Sequence, residues 1–159
     1  MSIDRGRAEV YAAETAAFDG TDLERVREVA EIIGTIDAFA AGEWWPGPKV
    51  RAIAMRADAA SSCARAAGEI VEIRIAAPQA TWATAAHELA HALAGIGAGH
   101  GPTYRRAMLD VVDEFTNTVI GARRADLHVV QLTDAYQAAG LSLGWRRWPE
   151  PASGRPFAL

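Results

Sequence analysis

The apolar positions of this chain repeat with a helical period at both ends and a strand period in the middle. Residues 4–18 carry Tyr11, Thr15 and Phe18 on one side of an expected first helix, which Asp19-Gly20 breaks. Thr21-Asp22-Leu23-Glu24 has the form of a capping box, in which a threonine and a glutamate three residues apart satisfy free helix N–H groups. A second helix is expected to follow, with Val26, Val29, Ile33, Ile36 and Ala40 as its buried stripe. Two prolines and two glycines in residues 42–48 (Gly-Glu-Trp-Trp-Pro-Gly-Pro) bar regular structure and predict a rigid loop. Residues 49–57 read as a strand, and the small, polar residues 58–68 as a loop or short helical turn. Residues 69–76 are the clearest strand, since Val71, Ile73 and Ile75 alternate with Glu72 and Arg74. The wet face of that strand suits a sheet edge, where charge discourages aggregation.

The helical period returns at Trp82, Ala86, Leu89 and Leu93. Alanines fill most of the positions between, favouring helix and letting neighbours approach from several sides. Gly95 supplies a stop, and Gly95-Ile96-Gly97-Ala98-Gly99 a turn that can fold the chain back. Pro102 fits the first position of a further helix, to about residue 118, with Tyr104, Met108, Val111 and Phe115 inside. After Gly121, residues 124–139 read as a last helix with Val129, Leu132, Tyr136 and Ala139 inside, terminated by Gly140. The Trp-, Arg- and Pro-rich remainder reads as an irregular tail that docks on the body.

These elements predict an α+β fold, mostly helical with a small sheet beside one central helix. A single domain is expected over residues 1–159: N-terminal helices in 1–40, a core in 49–120 and the tail in 141–159.

The chemistry lies on the central helix. His87-Glu88-Leu89-Ala90-His91 places two imidazoles four residues apart, on one helix face and opposite the apolar stripe. Glu88 is rotated roughly 100° from His87 and can flank a metal without ligating it. This is the H-E-x-x-H arrangement, in which zinc holds a water and the glutamate takes its proton. Catalytic zinc commonly has three protein ligands and an open position. His100, at the end of the glycine turn, supplies the third, and three of the chain's four histidines thereby fall within fourteen residues. His87, His91 and His100 are the expected zinc ligands and Glu88 the expected general base.

With His100-Gly101-Pro102-Thr103-Tyr104, the motif resembles the core of the SprT-like (Spartan-type) zinc metalloproteases: HExxH, a linker, then H-G-x-x-aromatic opening the next helix. It is also similar to small actinobacterial proteins described as metallohydrolases, which share the Trp early in the active helix and the His-Gly-Pro segment. The specific part of the resemblance runs from about residue 70 to 112. It implies a minimal zincin-like domain, with zinc ligation by His87, His91 and His100 and catalysis by Glu88. The linker from His91 to His100 is shorter than in many SprT-like proteins, and the chain carries no C-terminal zinc ribbon.

Charge narrows the partners. The formal net charge is −4 and the arginines are scattered among acids, which gives no strong electrostatic footprint for nucleic acid. Trp44-Trp45 and Trp145-Arg146-Arg147-Trp148 are expected to pack in the core or dock the tail; a hydrophobic substrate groove is second and base stacking third. One cysteine, Cys63, allows no internal disulfide and reads as a small buried thiol. No run of about 18 apolar residues predicts a membrane span, and no apolar h-region follows residues 1–7, so a cytoplasmic protein is expected, bacterial or phage-encoded. His128 reads as a surface histidine or one supporting the ligands, Tyr104 as packing with an oxyanion donor as the alternative, and Asp110, Asp113 and Glu114 as solvated charges or partners of a ligand imidazole.

Two function classes fit: a zinc hydrolase, chiefly a peptidase acting on a peptide or protein, and a non-enzymatic binding or regulatory protein with a structural zinc site. Glu88 favours the first, because a purely structural site has no use for a carboxylate beside its ligands.

Overall fold

The computed structural model describes Asp4 and residues 6–151. The fold is α+β, with five α-helices and one three-stranded sheet among the described residues. The helices are α1 (Arg7–Phe18), α2 (Val29–Ala40), α3 (Trp82–Ala94), α4 (Pro102–Val119) and α5 (Ala122–Ala138). The strands are β1 (Lys49–Ala54), β2 (Cys63–Ala67) and β3 (Ile70–Ile75), and short 3-10 turns cover Asp22–Glu24, Ala77–Gln79 and Ile96–Ala98. No helix among them is long and apolar enough to cross a membrane.

The sheet corrects two sequence expectations. β3 is the central strand, parallel to β1 and antiparallel to β2, so its charges do not mark an edge. Glu72 is buried because Arg51 and Arg65, its direct neighbours across the ladder, close over it at 2.8 and 3.0 Å, with Arg74 at 3.3 Å. The alternating charge reflects a cross-strand ion cluster on one face. Residues 58–68 are not all loop, since Cys63–Ala67 forms the edge strand β2. Alanine-rich and weak in strand propensity, β2 exists because a two-residue turn at Gly68 (φ 67°) folds it back onto β3. Cys63 is half-buried there.

The N-terminal helices also differ in detail. α1 begins at Arg7, after Gly6 in a left-handed conformation, and buries Val10, Ala13, Glu14, Ala17 and Phe18 while Tyr11 stays 42% exposed. Thr21 accepts from Leu23 N and caps only the 3-10 turn; α2 starts at Val29. Its buried face is Ile32, Ile36 and Phe39, and Val26, outside the helix, is exposed. Ile36 is buried as expected, and Val29, Ile33 and Ala40 pack against the core at its margin, partly buried.

The α3 helix is buried on nearly every side, its alanines allowing close packing as the composition suggests. The expected inner residues of α4 (Tyr104, Met108, Val111, Phe115) are all fully buried. On α5, Leu132 and Tyr136 are buried as expected, His128 is buried rather than on the surface, and Ala139 is exposed.

The start of the tail docks on α4. Arg105 Nε donates to Ser142 O and Arg106 Nε to Gly144 O, while Gly144 N donates to Pro102 O. Arg146 grips Asp110 with two nitrogens at 2.6 and 2.9 Å, and Trp148 Nε1 donates to the same carboxylate at 2.8 Å. Asp110 is thus neither solvated nor a partner of a ligand imidazole. Trp44 and Trp45 pack on Phe39 and Trp148 against α4, whereas Trp145 is 91% exposed and docks nothing. Asp110→Asn, which leaves Arg146 without its buried counter-charge, should cost about 1–3 kcal/mol of stability and lower the unfolding midpoint accordingly. Urea titration checks this, and a midpoint equal to wild type would show that the tail contributes nothing.

Candidate metal centre

The α3 helix and the turn after it bring His87, His91 and His100 together as the sequence predicts. The Thr81 hydroxyl accepts from Thr84 N and sets the start of the helix, and Gly95 (φ 99°) ends it. The 3-10 turn then carries the chain back, and Gly99 (φ 58°) delivers His100 to the open side of the helix. The three Nε2 atoms converge: His100 Nε2 lies 3.1 Å from His91 Nε2 and 3.3 Å from His87 Nε2.

Two carboxylates from the N-terminal segment hold these rings. His87 Nδ1–H donates to Glu14 Oε1 at 2.8 Å, and His100 Nδ1–H donates to Asp4 Oδ2. Asp4 Oδ1 also accepts from His100 N at 3.0 Å. Gly99 cannot carry a side chain here, because a Cβ would sit 2.9 Å from Asp4 Oδ1. Glu14 Oε2 in turn accepts from the hydroxyls of Tyr104 (2.9 Å) and Tyr136 (3.1 Å). Tyr104 Oη stands 2.6 Å from His87 Nδ1 and shares its proton. Tyr104 is therefore neither plain packing nor a free oxyanion donor. It is fully buried and braces the His87–Glu14 pair. Such carboxylate–histidine pairs fix the tautomer and raise the basicity of a metal ligand.

The tautomers test whether the residues suit a metal. In the tautomer that donates Nδ1–H to a carboxylate, the neutral forms of His87 and His100 would turn their Nε2 lone pairs toward each other across 3.3 Å. Two facing lone pairs repel unless a proton or a metal ion lies between them. A tetrahedral ion ~2.0–2.1 Å from each nitrogen would set them ~3.3 Å apart. The donor set and its spacing fit a metal ion.

The electrostatics differ between the rings. Burial, reinforced by the neighbouring charges of His87 and His100, drives His91 down to about 3, leaving it neutral and able to ligate. At His87 burial opposes the charged form, but the charge and hydrogen bond of Glu14 prevail and raise its pKa. Glu88 is 4% exposed, with Oε1 3.8 Å from His87 Nε2 and Oε2 without a hydrogen-bond partner among the described residues. Burial pushes its pKa up to about 7, opposed by His87 and helped by Glu14. A divalent cation at the three nitrogens would pull it down again.

That shift predicts a pH signature in metal-stripped protein. A folded-state pKa of about 7 against an ordinary 4.5 means that protonated Glu88 stabilises the fold fully below 4.5, and that this contribution is lost as pH rises through 7. Glutamine cannot lose a proton, and the opposite contribution of His91 is common to both proteins. Relative to wild type, chelated Glu88→Gln should gain stability from pH 4.5 to 8, by up to about 3 kcal/mol at ~1.4 kcal/mol per pKa unit. Denaturant titrations across that range read it out; a pH-independent difference would show that Glu88 titrates normally.

Beside the site lies a cleft of about 320 Å³, lined by Arg7, Tyr11, Glu14, Ser61, Ser62, His87 and Glu88 among others. The Tyr11 ring stacks on His87 (5.1 Å, 16°) and leans on His100 at 5.1 Å, with the Arg7 guanidinium 5.6 Å from its centroid. Sequence reasoning missed Asp4, Tyr11 and Glu14 as members of the site. Asp4 precedes α1 and Tyr11 and Glu14 lie on it, and no local pattern ties them to histidines more than seventy residues away. His128 and Cys63 belong to other parts of the fold: His128 packs edge-on against Phe18, with Nδ1 3.4 Å from Gln131 Oε1. The ligand imidazoles take their hydrogen-bond partners from Glu14, Asp4, Tyr104 and one another.

No family model, no curated protein and no solved structure matches this chain.

Proposed function

We propose that this protein is a zinc-dependent hydrolase, and most simply a metallopeptidase of the HExxH…H type. The observation that carries the reading is Glu88: a buried carboxylate with an unpartnered oxygen, beside three converged imidazoles and opening on a cleft. Leaving such a group buried costs free energy, and nothing in the packing explains it.

Three imidazoles and no thiolate are a donor set suited to zinc. Zinc held there supplies the Lewis acidity that makes water nucleophilic near neutral pH and polarises a carbonyl. Glu88 takes the proton of the attacking water on its free oxygen and passes it to the departing amine. His87 and His100, pinned by Glu14 and Asp4, keep the ligand nitrogens aimed, and Tyr104 holds Glu14 in turn. Of the sheet edges, β2 is the one that packs near α3, and Ser61 and Ser62 just before it line the cleft. An extended substrate would therefore pair with β2, not with the central β3. The SprT-like resemblance supports the same chemistry. The test is a broad peptide library profiled by mass spectrometry with wild type and Glu88→Gln in parallel. Cleavage by wild type alone supports the reading; equal cleavage by both defeats Glu88 as the base.

A further inference from the structure

Of the three tyrosines, Tyr104 and Tyr136 are buried and donate to Glu14, whereas Tyr11 is exposed at the metal centre. Its ring lies parallel to His87 at 5.1 Å and 16°, and 5.1 Å from His100 at 50°. It lines the cleft together with His87 and Glu88. A ring stacked on an imidazole runs ~3.5 Å from the plane of that imidazole. The Nε2 lone pair of His87 lies in that plane. The Tyr11 oxygen is therefore displaced to one side of an ion held there and is no ligand to it.

The hydrogen bonding of the phenol leaves its proton available. Arg7, one helical turn before Tyr11, holds its guanidinium 5.6 Å from the ring centroid and hydrogen-bonds the hydroxyl. A guanidinium can only donate, so the phenol oxygen accepts and the phenol O–H can donate elsewhere. The hydroxyl lies close enough to Glu88 and Glu14 to feel both charges. Arg7 also lines the cleft, and its positive charge reaches the ligand rings, where it disfavours protonation of His87 and His91. A donor and a cation thus stand over a centre whose other flanking groups, Glu88 and Glu14, are carboxylates.

We propose that Tyr11 is a catalytic residue that donates its O–H to the substrate carbonyl oxygen as that oxygen gains charge, with Arg7 as its positioning residue. This assignment rests on the hydrolase reading and adds the group that receives the developing charge. Attack of water on a carbonyl moves negative charge onto oxygen, and a donor placed there stabilises the transition state more than the ground state. The phenol proton stays on Tyr11 throughout, and proton transfer remains with Glu88. Arg7 strengthens the phenol as a donor, because hydrogen bonds in a chain polarise one another. The exposure of Tyr11 suits this role, since the hydroxyl must be reachable when substrate enters.

The test reads binding and needs no substrate. The full chain is loaded with cobalt(II), whose visible bands report what enters the site. It is titrated with methylphosphonate, a tetrahedral oxyanion, and with thiocyanate, which brings no oxygen. Tyr11→Phe keeps the stacked ring and should bind methylphosphonate ~10–100-fold more weakly, with thiocyanate affinity and metal content unchanged. Should that variant fold poorly, Arg7→Met should still weaken methylphosphonate more than thiocyanate. Equal methylphosphonate affinity in wild type and Tyr11→Phe, or bands that methylphosphonate leaves unmoved, would overturn the assignment. So would a parallel loss for both anions, which would mean that the phenol only shapes the site. Failure of the hydrolase reading shows elsewhere, in equal peptide cleavage by wild type and Glu88→Gln, and leaves the anion result intact. A chain that takes up no cobalt would defeat the metal centre and this assignment with it.

Discussion

Glu88→Gln will fold, keep its metal and hydrolyse any accepted peptide ~10²-fold or more slowly than wild type, the loss expected when a general base is removed. The substitution preserves size and one acceptor oxygen, and it touches none of the three ligand nitrogens, the nearest of which is 3.8 Å from Oε1. It removes only the ability to take and return a proton. The pattern should appear in kcat with little change in KM, because Glu88 acts on the attacking water and not on substrate binding. Parallel metal analysis and unfolding curves separate this from a damaged site. A variant that loses its metal along with its activity would mean that Glu88 is a ligand.

Glu14→Ala should be the most disruptive single change outside the ligands. One carboxylate serves His87 Nδ1 and the hydroxyls of Tyr104 and Tyr136, all within 3.1 Å and all buried. Its removal leaves three buried polar groups without their acceptor, at about 1–3 kcal/mol each before relaxation. A loss of about 3–5 kcal/mol is expected, an unfolding temperature about 10 °C lower, and zinc affinity ~10–100-fold weaker because His87 is no longer aimed. Glu14→Gln keeps an acceptor and the volume, and should recover most of the stability but only part of the affinity. Calorimetry and competition with a chromophoric chelator measure the two separately. Wild-type zinc affinity in both variants would show that the N-terminal helix is no part of the metal centre.

The legibility of this chain follows the range of the interactions concerned. The three histidines and Glu88 span fourteen residues, and their arrangement is set by one helix and one turn, geometry that spacing alone conveys. Asp4 and Glu14 lie 96 and 73 residues from the rings that they hold, and no local period reveals such a pairing. The same contrast runs through the fold. The long amphipathic α4 was readable to its inner residues, whereas β2 is alanine-rich and exists only through its ladder with β3. Glu72 and Arg74 suggested an exposed edge because alternation reports which residues are charged, not whether arginines from both neighbouring strands cover them. Val26 falls into the expected α2 stripe because Thr21 reads as the cap of a full helix, whereas it closes a single 3-10 turn and α2 starts at Val29.

The most direct test of the metal centre is elemental analysis of the purified protein beside its His87→Ala, His91→Ala and His100→Ala variants. One zinc per wild-type chain is expected, with loss of bound zinc in each variant at low micromolar metal, because all three Nε2 atoms meet at one point. Full retention in His100→Ala would remove it as the third ligand, and a wild type with no affinity for zinc would contradict the site altogether.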